Sequence, residues 1–188
     1  MIHIEPQNVL GAIELDSVAA GLAVLDAVTK KAPVRLLDVR TLCPGKYTIV
    51  FTGDEASVEA SLFDGVQLHE ECVLNWIYIP TLHREVAAAL GGSAEEADDS
   101  IGVLESFSTL GAIEAGDIGA KSAAVRVIGI RFGDEMGGKS SVKFSGPLSE
   151  VEAAIESGSE LLEAKQSLCK RIVIARPHAD VVPHATKG

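Results

Sequence analysis

Apolar and polar positions along this chain change period several times, and each change marks an element. Residues 9–15, Val-Leu-Gly-Ala-Ile-Glu-Leu, form a short apolar run that predicts a strand. From Val18 the apolar residues recur at helical spacing. They predict a helix over 18–31 with Val18, Leu22, Leu25 and Val28 along one face and Ser17 as N-cap. Pro33 stops it, and strand formers over 34–40 and 47–51 flank a Cys43-Pro44-Gly45 loop. A second helix is expected over 55–66, a short strand over 73–79 and a tail helix over 82–90. The remainder predicts the same order again: strand 101–106, helix 109–122, strand 125–132, loop 133–138, strand 141–145, helix 148–165 and strand 171–175.

That repetition extends to residue identities. Gly11-Ala12-Ile13-Glu14-Leu15-Asp16-Ser17 is echoed 91 residues later by Gly102-Val103-Leu104-Glu105-Ser106-Phe107-Ser108. At the same offset Asp26 meets Asp117, Lys30 meets Lys121 and Arg40 meets Arg131. After a two-residue insertion Gly45-Lys46 meets Gly138-Lys139, Phe51 meets Phe144, and Val58-Glu59-Ala60 meets Val151-Glu152-Ala153. Two copies of so long a period are a duplicated domain, not a solenoid. The small, acidic stretch 91–100 has the composition of a solvated linker, which places one domain over 8–90 and the other over 101–184. Each domain reads strand, helix, strand, strand, helix, strand. The expected fold is therefore α+β: two tandem ferredoxin-like domains, each a four-stranded antiparallel sheet with helices packed on it.

Composition narrows the function. Among 188 residues, 16 Lys and Arg face 27 Asp and Glu, a net charge of -11 that argues against nucleic acid and against an anionic membrane surface as partners. No apolar run approaches the roughly 20 residues that span a bilayer. The first residues, Met1-Ile2-His3-Ile4-Glu5-Pro6, lack the basic and apolar regions of a secretory signal. Three cysteines, Cys43, Cys72 and Cys169, are an odd number at wide spacing, so no disulfide framework is expected and a reducing cytosol is the simplest setting.

The ordered motifs resemble the bacterial microcompartment shell domain, twice over. They are Gly-x-x-Glu (Gly11 to Glu14; Gly102 to Glu105), Asp-x-x-x-Lys (Asp26 to Lys30; Asp117 to Lys121), and Gly-Lys after the central loop. Gly53-Asp54 opens the second helix, and Ile174-Ala175-Arg176-Pro177-His178 closes the second copy. Two unpermuted copies with Thr41-Leu42-Cys43-Pro44-Gly45-Lys46 in the first are most similar to the tandem-domain trimeric branch found in propanediol-utilisation compartments. The resemblance implies a structural shell tile in a compartment of the bacterial cytoplasm. Its homotrimer would form a pseudohexagon, pack against other shell proteins and possess a lumenal redox enzyme as a further partner. It also implies that Cys43 faces the trimer axis as a metal ligand for one 4Fe-4S cluster per trimer, serving electron or cluster transfer. Leu42, Pro44 and Gly45 would line that axial pore, and Gly133, Asp134, Glu135, Met136 and Gly137 the second loop. The same resemblance makes Lys30, Lys121, Arg176 and His178 the tile-edge contacts; copy one, ending Ile79-Pro80-Thr81-Leu82-His83, lacks the arginine.

Read for their chemistry alone, these residues leave alternatives open. A four-iron cluster takes four thiolates, often in a Cys-x-x-Cys run that this chain lacks; three-fold symmetry would supply three from one cysteine per chain. Cys43 is otherwise a small residue in a tight turn. Asp134 and Glu135 read either as an electrostatic filter or as an ordinary exposed turn, and the lysines as edge groups or as solvated helix ends favoured by the dipole. Cys72 and Cys169 read as buried structural thiols. Gly133 to Gly138-Lys139-Ser140 satisfies a phosphate-loop spacing, yet acids occupy the place of the phosphates. The five histidines show no metal spacing, and no catalytic residues are expected. Beside the cluster-bearing tile stand a metal-free tile whose axis passes metabolites, and a trimeric ferredoxin-like regulator binding a small ligand.

Overall fold

In the computed structural model the described residues are 9–90, 97, 99–133 and 137–186. They form two compact units, one ending at Leu82 and the other beginning at His83. In the first unit, strand β1 (Val9–Leu15) leads into helix α1 (Val18–Lys31). The hairpin of β2 (Arg35–Leu42) and β3 (Lys46–Gly53) follows, then α2 (Glu55–Leu68), a single 3-10 turn at Glu70–Cys72, and β4 (Val73–Ile79). The second unit begins with α3 (Arg84–Leu90) and continues with β5 (Ser100–Ser106), α4 (Thr109–Ser122), β6 (Arg126–Arg131), β7 (Ser140–Gly146), α5 (Leu148–Ala164), β8 (Leu168–Ile174) and a short α6 (Val182–Thr186). Both sheets are antiparallel, in the orders β2-β3-β1-β4 and β6-β7-β5-β8, as the ferredoxin-like reading requires.

The helices begin where polar caps satisfy their first amide groups. Ser17 Oγ accepts from the Ala20 amide at 3.3 Å, and Ser108 Oγ plays the same part for Gly111 at 3.2 Å. At the start of α2 Asp54 accepts from the amide of Ser57 at 3.0 Å and from its hydroxyl at 2.6 Å. Those bonds hold the Asp54 carboxyl below its ordinary range.

Helix α1 departs from expectation in the face it buries. Its buried residues are Ala20, Gly21, Val24 and Val28, while Val18 is 38% and Leu22 55% exposed and Leu25 only half-buried. Apolar residues line both sides of this helix, so periodicity alone does not choose between them. The choice falls to close approach: a Cβ on Gly21 would stand 2.3 Å from Cδ1 of Tyr47, so the helix backbone lies directly on that ring. Around this contact Ile13, Leu15, Val24, Val28, Ile49, Phe51, Val58 and Leu62 form the core of the first unit.

Two further differences concern the ends of the copies. The tail helix, α3, begins at Arg84 and packs on β6 and α4, within the second unit. Strand β8 starts at Leu168, so Cys169 lies within it and not before it. Neither Cys72 nor Cys169 is buried as expected; both are half-buried. Cys72 packs on the edge of the core, and Cys169 Sγ lies 3.7 Å from Glu105 Oε2. Partial burial, with Asp16 and Glu71 near by, pushes the Cys72 thiol above its ordinary pKa and makes it a poor nucleophile. The linker stretch 91–100 lies mostly outside the described residues.

Gly21→Ala is expected to lower stability by about 1–3 kcal/mol, since Tyr47 must leave its rotamer or α1 must lift from the sheet. Chemical denaturation followed by circular dichroism measures it.

Candidate functional site

The β2–β3 turn carries the sequence's principal candidate. Leu42, Cys43, Pro44 and Gly45 make a four-residue reversal closed by the Gly45 amide donating to the Leu42 carbonyl at 2.8 Å, with a cis Cys43-Pro44 peptide. Gly45 has φ of 100°, a conformation for which glycine is suited, and a Cβ there would meet nothing within 4 Å. Backbone geometry, not lack of space, therefore calls for glycine. Cys43, Pro44 and Gly45 are exposed, while Leu42 is buried and anchors the turn to the body of the unit.

One side of this turn is braced by an ion pair. Glu14 of β1 is buried, and the Lys46 ammonium at the start of β3 donates to its Oε1 at 2.9 Å. The Glu of the Gly-x-x-Glu motif and the Lys of the Gly-Lys motif are thus partners across neighbouring strands. In the second copy Glu105 lies beside Cys169 instead.

Cys43 is a free thiol, and among the described residues no three His, Cys, Asp or Glu side chains are grouped as a metal site. One chain offers one exposed sulfur at the tip of a rigid turn. Such a donor suits a thiolate-ligated cluster only where other copies bring their own sulfurs to the same point.

The second loop joins β6 to β7. Gly133 is buried, and a Cβ on it would come within 2.8 Å of the Gly138 backbone, so the two ends of the loop are pinched together. Gly137 and Gly138 take φ of 64° and 82°. Asp134, Glu135 and Met136 lie outside the described residues. Lys139-Ser140 runs into strand β7 and not into a helix, so the amide-rich helix start that holds phosphate is missing from this loop.

At the expected edge the two copies part company. Lys30 Nζ reaches Asp26 Oδ2 at 2.6 Å on an open helix face, with the Asp26 side chain 61% exposed. Lys121 makes the same i,i+4 pair with Asp117 at 2.5 Å, but there the carboxylate is 7% exposed. Asp117 Oδ1 also accepts from the His83 amide at 2.8 Å, at the start of α3. The second copy's motif therefore holds a helix in place as well as presenting a lysine. Arg176 is exposed in the left-handed region at φ 51°, and His178 is exposed two residues on, its Nδ1 accepting from the Asp180 amide at 3.3 Å. Among the described residues no hydrogen bond or ion pair joins these two to Lys121.

Sequence reasoning missed one feature. Beside α2 and β4 the first unit has a groove of about 290 Å³ lined by Glu59, Leu62, Phe63, Val66, Trp76 and Tyr78. Phe63 and Trp76 are 63% and 51% exposed. Burial pushes the Tyr78 phenol up, with Glu55 and Glu59 adding to the effect. The uncharged strand Val-Leu-Asn-Trp-Ile-Tyr-Ile was the available signal. No described helix is long and apolar enough to cross a membrane.

Comparison with known proteins gives a consistent set of relatives. The family model described as "BMC domain" matches residues 9–82 and again 100–177. The chain is similar to the bacterial microcompartment shell protein PduT of Citrobacter freundii, 30% identical over 180 residues that cover 95% of this chain and 98% of the relative. It is also similar to the carboxysome shell protein CsoS1 of Prochlorococcus marinus, 36% identical over 90 residues, 47% of this chain and 85% of that one. A crystal structure of a microcompartment protein from Desulfitobacterium hafniense superposes with a TM-score of 0.85 at 33% identity, covering 92% of this chain and 97% of that one.

Replacing Asp117 with Ala is expected to cost about 2–3 kcal/mol by leaving the His83 amide and Lys121 without their acceptor. Asp26→Ala should stay within about 0.5 kcal/mol, as exposed i,i+4 pairs do. Denaturation midpoints compare the two, and amide exchange over residues 84–90 should rise only in the first.

Proposed function

The chain belongs to the BMC-domain family and is a structural shell protein of the tandem type, and on that premise we propose that it assembles as a homotrimeric facet tile with Cys43 at its axis. Two domains per chain carry this reading: three chains supply the six wedges of a hexagon, and closed cyclic symmetry is the usual solution for identical subunits. The tile packs beside other shell proteins in a microcompartment of the cytoplasm, through Lys30, Lys121, Arg176 and His178 at its edges.

At the axis, three copies of the exposed Cys43 turn would face one another, and their three thiolates would hold a 4Fe-4S cluster. What supports this is the chemistry of the donor. It is a free thiol on the outside of a turn whose shape Gly45 and Leu42 impose and whose base the Glu14–Lys46 pair braces. Bound there, the group would supply one-electron chemistry between the two sides of the shell, with a lumenal redox enzyme as donor or acceptor. This chain's residues position the sulfur, in a turn where Cys43, Pro44 and Gly45 are all exposed. The exposed turn equally suits a metal-free axis that passes small metabolites, with the acidic loop at 133–137 tuning what enters.

Anaerobic reconstitution with iron and sulfide separates the two. The wild-type trimer is expected to take up about one cluster per three chains, read by absorption and electron paramagnetic resonance, and Cys43→Ala none. Equal incorporation by the variant would sink the Cys43 assignment. An iron-free wild-type trimer would favour the open pore.

A further inference from the structure

The duplicated domain provides its own comparison for the groove beside α2 and β4. Strand registers and helix offsets place Glu59, Phe63, Val66 and Trp76 of the first unit opposite Glu152, Glu156, Ser159 and Arg171 of the second. In the second unit the Arg171 guanidinium lies in that position, 2.9 Å from Glu156 Oε2 and 2.6 Å from Ser159 Oγ. The chain thus furnishes this groove with its own cation. In the first unit Trp76 replaces the arginine and Phe63 its carboxylate partner, yet the glutamate at the groove's rim is kept as Glu59. Among the described residues the Glu59 carboxylate makes no ion pair or hydrogen bond. Aromatic rings, an apolar floor and one unpaired carboxylate remain, with no cation of the chain's own.

We propose that this groove binds an organic ammonium cation carrying a short apolar chain. Indole is the strongest cation–π partner among the side chains, with phenol and phenyl next, and Trp76, Tyr78 and Phe63 are the three that line this site. Glu59 supplies the countercharge, and Leu62 and Val66 take the alkyl chain. A metal ion does not fit, because a hard cation needs several oxygen ligands in exchange for its water. Anions are opposed by Glu59 and by the net charge of -11. The volume, about 290 Å³, is of small-molecule size.

Trp76 is the sole tryptophan, so its emission reports on this site alone. Titration of the full chain with butyltrimethylammonium chloride, against sodium chloride at equal ionic strength, should give a saturable emission change and a matching calorimetric isotherm. 5,5-Dimethylhexan-1-ol, with the same branched head and four-carbon chain but no charge, should bind about tenfold more weakly. Glu59→Gln should weaken the cation by about threefold. The double change Phe63→Glu with Trp76→Arg, which writes the second unit's pair into the first, should remove the calorimetric signal while circular dichroism shows a folded chain. Equal binding of 5,5-dimethylhexan-1-ol, no saturable response, or a folded double variant with wild-type affinity would each overturn the proposal. Should the double variant fail to fold, the neutral analogue and Glu59→Gln decide it.

Discussion

Pairing of β1 with β3, in register from Val9 opposite Gly53 to Leu15 opposite Tyr47, sets Ile13, Leu15, Ile49 and Phe51 on one face under the helices. The arrangement recurs in β5 and β7, where Leu104, Val142 and Phe144 are fully buried. A residue slip in either pair would turn these side chains to the opposite face, so the register is held by the whole core. Each feature of functional interest lies at the margin of that pair. The Cys43 turn extends from the start of β3, the Glu14–Lys46 contact joins the two strands near it, and the aromatic groove flanks the edge strand beside β1.

Because that central framework is duplicated, the differences between copies are informative. The same Asp-x-x-x-Lys spacing is an open surface pair in α1 and a buried anchor for α3 in α4. A tight three-residue turn in the first copy becomes a longer glycine-rich loop in the second. An exposed ion pair on α5 and β8 is a set of aromatic rings on α2 and β4. The strand positions that carry the core stay apolar through these changes, as Ile13 and Leu104, Ile49 and Val142, and Phe51 and Phe144 do. Selection could therefore alter the surface of each domain while keeping its packing, and the two domains of one chain carry unlike surface groups.

Much of the framework was legible beforehand, and the reasons are local. Strands at 9–15 and 73–79 and the helix at 18–31 have the predicted bounds, because apolar runs, Ser17 and the break at Pro33 act through near neighbours. The buried side of α1 was not legible: Leu22 is as apolar as any core residue, and only the approach of Gly21 to Tyr47 decides against it. Leu42, expected among the pore-lining residues, ends β2 and is buried in the single chain, while the three residues after it are exposed. The two cysteines near the closing strands read as buried because free cysteine usually is; edge strands and their approaches leave them half-covered.

By itself the sequence determined that there are two domains, that each is an α+β sandwich of one connectivity, and which family the order of motifs matches. These follow from periodicity, caps and repeated spacing, which are properties of neighbouring residues. Only the tertiary structure decided which face of α1 is buried, that α3 joins the second unit through Asp117, and that Phe63, Trp76, Tyr78 and Glu59 share one groove. Those facts depend on residues far apart in the chain coming within contact distance, and no local pattern records that distance.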